Sequence, residues 1–278
     1  MTVTAVTGTA RAEKSARRLP PTVPLALLVV GVVVAWSVAP GLFTSHDPVD
    51  GVPAELFRGP SGAHWFGTDH LGRDVFARVV FGTASSVSSA LVAVGIGVLV
   101  GGLIGLLSGF FGGLVDVVLA RFVDVLLAIP SFLLAVVIVS ALGFQTVNAA
   151  IATGISAVAV FARVLRSEVL KARSSVFVEA AALLGGSRWH VLLRHVLPNA
   201  SRSVLPLAVL QFGLSILVIA GLAFLGYGDP PPASDWGLLV SAGKDYPLAP
   251  WLVWAPALVT ITTVLSVNRI SRWLRTTS

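Results

Sequence analysis

The sequence predicts an all-α membrane protein with six transmembrane helices, on three observations. Of its 278 residues, 55% are hydrophobic and only 12% are charged, against about a quarter charged in a soluble globular domain. The mean hydropathy is +0.90, so there is too little polar surface to cover a body in water, and the solvent must be lipid. Five long runs carry no acidic or basic side chain: Leu19–Ser45, Val79–Val115, Val125–Ala162, Ser203–Gly228 and Tyr246–Asn268.

A helix crosses the bilayer in about 20 residues, which fixes the elements in order. The first run holds span 1, at 24–43. The basic stretch before it, RAEKSARRLP, has the look of a secretory signal, but the apolar run is long and lacks a small-x-small cleavage site. A retained span is therefore expected. The second run holds span 2, at 84–108, and the third, of 38 residues, is broken by GFQTVN into spans at 117–141 and 146–167. Pro130 permits a kink in span 3. Spans 5 and 6 follow at 203–226 and 250–268. These spans form one transmembrane domain at 24–268, between tails at 1–23 and 269–278, with an outer loop at 44–83 and a second loop at 168–202.

Orientation comes from the basic residues. Six spans put the N-terminal tail, the segment Arg163–Arg202 and the C-terminal tail on one side, with fourteen Lys and Arg against four on the other. The positive-inside rule makes that side cytoplasmic, with both termini inside. The net charge of +6 is thus a topology signal. No contiguous basic face with interleaved aromatics offers a nucleic-acid footprint. Cysteine is absent, so the chain has no thiol or disulfide chemistry.

The loop at 168–202 is the polar exception. Ser174 or Ser175 can cap a short helix, along which Val176, Phe177, Ala180, Ala181 and Leu184 form one stripe. Gly185 and Gly186 stop it, Ser187 can cap a second short helix, RWHVLLRHVL, and Pro198 closes that one. The residues alone fit two roles equally well: a helix seated in a partner's groove, or one lying on the headgroups.

His64, Asp69, His70 and Asp74 in the outer loop lack a metal-ligand spacing, and Gly67 and Gly72 suggest turns, so no metal site is expected. Asp69, Arg73 and Asp74 are expected to tie the loop to its scaffold or to an external protein. Asp116, Arg121 and Asp124 begin span 3, with Arg121 and Asp124 at i, i+3 as a bracing ion pair. GYGD at 226–229 mimics an aspartyl protease motif but lacks a second mid-membrane carboxylate. SAGKD at 241–245 fails as a P-loop, with Leu238 where glycine is needed and Asp245 where Ser or Thr belongs. All five histidines lie outside the spans, which argues against a Ser/His protease. Gly97, Gly101 and Gly105 are spaced for close helix packing, within the subunit or between subunits.

EAAALLG followed by eleven residues and LP resembles the EAA loop of the integral-membrane subunits of ABC importers. The matching positions are Glu179, Ala180, Ala181, Gly185, Leu197 and Pro198; Gly186 departs from the usual alanine. HWFGTDHLGRDVFARVVFG at 64–82, with Gly67, Thr68, Asp69, Gly72, Arg73 and Asp74, resembles the C-type subunit of the dipeptide, oligopeptide and nickel branch. Further likeness runs through 109–132, 194–199, 224–237 and 249–251, while the C-terminal tail departs. The resemblance implies a type I importer permease whose coupling helix, Val178 to Ser187 with Leu184 on its stripe, docks into an ATPase cleft. It further implies a paralogous permease as heterodimer partner, two ATPase subunits or one fused ATPase, and an extracytoplasmic solute-binding protein. ATP and Mg would belong to the partners, with no cofactor and no bond chemistry on this chain. The setting would be the bacterial plasma membrane and the cargo peptides. Nickel, haem or glutathione-like solutes are alternatives, as is a stand-alone secondary transporter.

Overall fold

A computed structural model describes residues 20–176, 178 and 187–277. Among these the regular structure is helical: α1 (Thr22–Val38), α2 (Val75–Phe111), α3 (Gly113–Ala128), α4 (Ser131–Leu142), α5 (Thr146–Arg173), α6 (Trp189–Tyr227), α7 (Trp236–Gly243) and α8 (Trp251–Thr277). Four of them, α2, α5, α6 and α8, are long and apolar enough to cross a membrane, and α3 with α4 adds a fifth crossing if that bent pair is one span. The first helix has only 17 residues.

The centre is α5, which packs on α2, α3, α4 and α6, while α8 closes the other flank against α1, α6 and α7. A row of glycines on α2 explains why α5 holds that place. A Cβ on Gly101 would run into the Val158 carbonyl, one on Gly105 into the Ala162 carbonyl, and one on Gly109 would sit 2.9 Å from the Arg166 carbonyl. Gly154 answers from α5, with Ile96 of α2 2.9 Å from where its Cβ would be. Packing by small residues is the main source of helix attraction in lipid, where apolar side chains gain little by leaving the solvent. The small-residue spacing thus serves a contact inside this chain.

Several boundaries differ from the sequence expectation for definite reasons. Span 2 is expected from residue 84, but α2 starts at Val75 because Asp74 caps it, accepting from the Ala77 N–H at 2.6 Å. At about 1.5 Å per residue, its 37 residues outreach a hydrocarbon core of about 30 Å. Span 3 is not one kinked helix: Ile129 and Pro130 are extended, and α3 meets α4 at 91°. Proline disfavours helical backbone in the residue before it and removes a helix donor, which makes this a break.

Nor does Pro198 close a short helix. The backbone runs on as helix from Trp189 past Pro198 to a kink at Gly226, φ +91°, with a widened π-turn at Leu192–Val196 just ahead of the proline. The Asn199 side-chain amide donates to the His195 carbonyl at 2.7 Å. The last helix continues to Thr277, so residues 269–277 extend it.

Short outer segments complete the fold. Asp235 caps α7 by accepting from the Gly237 and Leu238 N–H groups at 2.9 and 3.1 Å. Trp236, fully buried, fastens α7 to α2: its backbone N–H donates to Ser86 Oγ at 3.1 Å and its indole to the Val79 carbonyl at 3.2 Å.

Gly101→Val should lower the stability of the detergent-solubilised protein by about 3 kcal/mol through overpacking. Gly95→Val, on the same helix but with open space where its side chain would go, should stay within about 0.5 kcal/mol of wild type. Thermal unfolding of the two variants side by side makes the comparison.

Candidate functional site

Two polar assemblies stand out, at opposite ends of the helices. The first is built from the loop between α1 and α2. Positive φ at Gly67 and Gly72, +72° and +73°, turns the chain sharply enough for Asp69 to reach its own loop. Asp69 Oδ1 accepts from the Leu71 and Arg73 N–H groups at 2.9 and 3.0 Å, and its Oδ2 takes the Arg73 guanidinium at 2.7 Å. Arg78 stands 3.9 Å from the same oxygen and donates to the Pro48 and Ala233 carbonyls at 3.0 and 3.3 Å. Thr68 accepts from the Arg58 N–H at 2.8 Å, donates to the Glu55 carbonyl, and offers its own carbonyl to the Trp251 indole at 3.1 Å.

Asp74, besides capping α2, bonds His64 Nδ1 at 2.8 Å through its other oxygen, and the far ring nitrogen lies 3.2 Å from Glu55. His64, Thr68, Asp69, Arg73, Asp74 and Arg78 are all buried. These groups therefore bind one another and the chain itself. Sequence reasoning did not join Glu55, His64 and Arg78 to this cluster, because their partners lie 9 to 155 positions away. Among the described residues no group of three or more His, Asp or Glu could hold a metal ion.

Beside this cluster, at the outer end of α5, Asp229 accepts from the Thr146 N–H at 3.1 Å. The Asp235 carboxylate lies 3.4 Å from the Thr146 hydroxyl. Burial pushes the Asp235 carboxyl above its ordinary value; the Leu238 and Gly237 N–H groups pull it down, and nearby Asp229 adds to the rise.

The second assembly lies where α5 ends. Arg166 grips Asp116 of α3 with two bonds, Nε to Oδ1 at 2.6 Å and Nη2 to Oδ2 at 2.7 Å, and Ser108 donates to the same carboxylate. Arg163 donates to Asp124 at 3.0 Å, and Arg173 to the Phe110 carbonyl at 2.9 Å. The expected Arg121–Asp124 pair is therefore replaced by one across helices. Arg163 and Arg166, at i, i+3 on α5, face the acids of α3, while Arg121 is exposed.

Past α5, the Ser174 and Ser175 hydroxyls donate back to the Lys171 and Ala172 carbonyls. Val178 is buried, 4% exposed, among Phe110, Leu165, Val169 and the 191–200 stretch, while Val176 is 82% exposed. Val178 thus anchors the segment on this chain, while Val176, a member of the expected stripe, is exposed. Phe177, Glu179, Ala180, Ala181, Leu184, Gly185 and Gly186 lie outside the described residues. Ser187 is exposed and its hydroxyl accepts from the His190 N–H at 3.2 Å; Leu197 is half-buried and Pro198 exposed.

A long central helix thus carries charged contacts at the edge of a polar insertion, on a body otherwise made for lipid. Residues 101–276 match the family described as binding-protein-dependent transport system inner membrane component. The chain belongs to this family. It is a multi-pass inner membrane permease component of an ABC transporter, and such a subunit is not itself catalytic.

This membrane component is 37% identical over 259 residues to the probable D,D-dipeptide transport system permease protein of Escherichia coli (strain K12), covering 92% of this chain and 86% of that one. It is 35% identical over 255 residues to the dipeptide transport system permease protein of Alkalihalophilus pseudofirmus, covering 90% and 84%. To the glutathione transport system permease protein of Pectobacterium atrosepticum it is 37% identical over 221 residues, covering 79% and 73%. Among solved structures, an amino acid ABC transporter crystallised with histidines shares the fold at a TM-score of 0.58 and 18% identity, over 72% of this chain and 94% of that one.

Asp69→Ala should destabilise the protein by about 3–5 kcal/mol, because it leaves buried guanidinium groups without their carboxylate. Asp50→Ala, at an exposed position, should leave the thermal midpoint unchanged. Asp235→Asn keeps a capping oxygen and removes a titration. The stability that goes with a proton on Asp235 is full below its ordinary 3.8 and is lost as pH rises through the raised value. The variant should therefore gain on wild type in thermal midpoint as pH rises from about 4 to about 7.

Proposed function

We propose that this chain is the translocation subunit of an ATP-driven importer for di- or oligopeptides. Its similarity over 92% and 90% of its length to two permeases named for dipeptide transport carries the reading. Glutathione, itself a small peptide-like solute named for a further relative, supports the same cargo class.

Six crossings follow if α1 and the α3–α4 pair each count as one. At about 1.5 Å per residue, the 17 residues of α1 reach about 25 Å, close to the hydrocarbon thickness. The excess of Lys and Arg at 163–202 and in both tails supports cytoplasmic termini. The solute path then runs beside a paralogous permease, with a solute-binding protein outside and ATPases, separate or fused, inside. ATP and Mg act on those partners.

The segment Val178–Ser187, including Glu179, Ala180, Ala181, Leu184, Gly185 and Gly186, is the coupling element that an ATPase grips, and Leu197 and Pro198 end the same motif. Its attachment supports this role. The segment leaves α5 directly and is rooted at Val178 in the chain's own apolar cluster, so a push on it reaches the spans without slack. Closure of the ATPases would then switch the spans between inward- and outward-facing states as a rigid-body change.

In proteoliposomes holding the whole complex, Glu179→Lys should abolish ATP-dependent uptake of a labelled dipeptide while leaving complex assembly intact. Normal uptake in that variant would count against the coupling role. Uptake of nickel or haem in place of the peptide would overturn the cargo.

A further inference from the structure

Arg166 takes part in two contacts at once. Its backbone lies on the α2 glycines, with the amide 2.9 Å from where a Cβ of Gly105 would stand and the carbonyl 2.9 Å from that of Gly109. Its side chain holds Asp116 of α3 by a two-bond fork at 2.6 and 2.7 Å, and the Ser108 hydroxyl of α2 completes the carboxylate. Two parallel charge-assisted bonds fix distance and orientation together. Nearby, Val123 of α3 is buried with Ala159 and Ala162 of α5.

The bent pair is divided between the two ends of α5. Whereas α3 is held at Arg163 and Arg166, α4 packs through Ala135 and Val139 on Ala149, Ala150 and Ala152. The start of α4 is itself fastened, since Ser156 Oγ donates to the Ser131 carbonyl at 3.2 Å. Between them stand only the extended residues Ile129 and Pro130, with no helical hydrogen bond to stiffen the 91° corner. A movement at the far end of α5 therefore reaches α3 first and can be absorbed at this corner.

We propose that Arg166 and Asp116 are positioning residues for transport: they make α3, the last turns of α2 and the C-terminal half of α5 travel as one body, pivoting at Ile129–Pro130 against α4. This inference rests on the importer reading and on the segment after Ser174 being where the force enters. Arg166→Lys keeps the charge but loses the planar fork, and Asp116→Asn keeps the shape but loses the charge.

The test uses the complete complex in proteoliposomes, comparing solute taken up with ATP hydrolysed. Asp116→Asn and Arg166→Lys are expected to lower that ratio at least tenfold while ATP hydrolysis stays within about twofold, a split that a mere brace would not give. An unchanged ratio in both variants overturns the proposal. Because either variant could fail to assemble, a second measurement introduces Val123→Cys with Ala162→Cys into this cysteine-free chain. If α3 and α5 travel together, oxidising that pair leaves uptake unchanged. If they slide past one another, oxidation stops uptake, reductant restores it, and the proposal fails. Glu179→Lys run in parallel separates the two ideas: normal uptake there sinks the coupling role of the segment after Ser174, while the cross-link result speaks to the rigid body alone.

Discussion

Glycines at 101, 105 and 109 let the backbone of α2 lie on the backbone of α5, and Gly97 makes room for the Phe161 ring. The other helices are placed by that contact. Because the two backbones touch, α5 is central, and its remaining faces are free to receive α3, α4 and α6. The same closeness puts the Arg166 backbone over Gly105 and Gly109, which sets where its guanidinium can reach. A side chain larger than hydrogen at any of these positions would move the charged contacts as well as the apolar ones. The outer cluster has the same dependence at the far end of α2, where Asp74 both starts the helix and holds His64.

The two polar assemblies differ in kind. The first, between α1 and α2, is closed: each buried charge meets a counter-charge or a carbonyl of the same chain, and Trp251 and Ala233 bring distant segments into it. Such a network specifies one loop conformation, since leaving any member unpaired in a low-dielectric setting is costly. The second is half open. Arg163 and Asp124 are exposed at 61% and 55%, so their pair adds little on its own, and the half-buried two-bond fork between Arg166 and Asp116 holds α3.

Much of this was legible in the sequence. Glycine at four-residue spacing announced the α2 contact, the charge-free runs announced the long helices, and GFQTVN marked the start of α5. Asp74 before an apolar run is a cap signal, yet the hydropathy of 84–108 drew attention away from the nine residues ahead of it. The true partners of Asp116 and Asp124 were hidden because pairing across helices depends on which faces meet, and Arg121 satisfied the local spacing equally well. Val178 and Val176 could not be told apart by periodicity in so short a stretch. Pro130 advertised a bend, but how far the chain would turn depended on α4 finding its place on α5. The segment Glu179–Gly186 is legible through its motif and lies outside the described residues.

The widened turn of α6 has a consequence for anyone mapping it residue by residue. A π-turn inserts an extra residue into the helical repeat, and α6 has one at Leu192–Val196. At 3.6 residues per turn, one added residue rotates everything beyond it by about 100°. A single helical wheel drawn from Trp189 to Tyr227 would thus mix lipid-facing and core-facing positions. Residues before Leu192 and residues after Val196 need separate wheels before a scanning experiment on this helix can be assigned to a face.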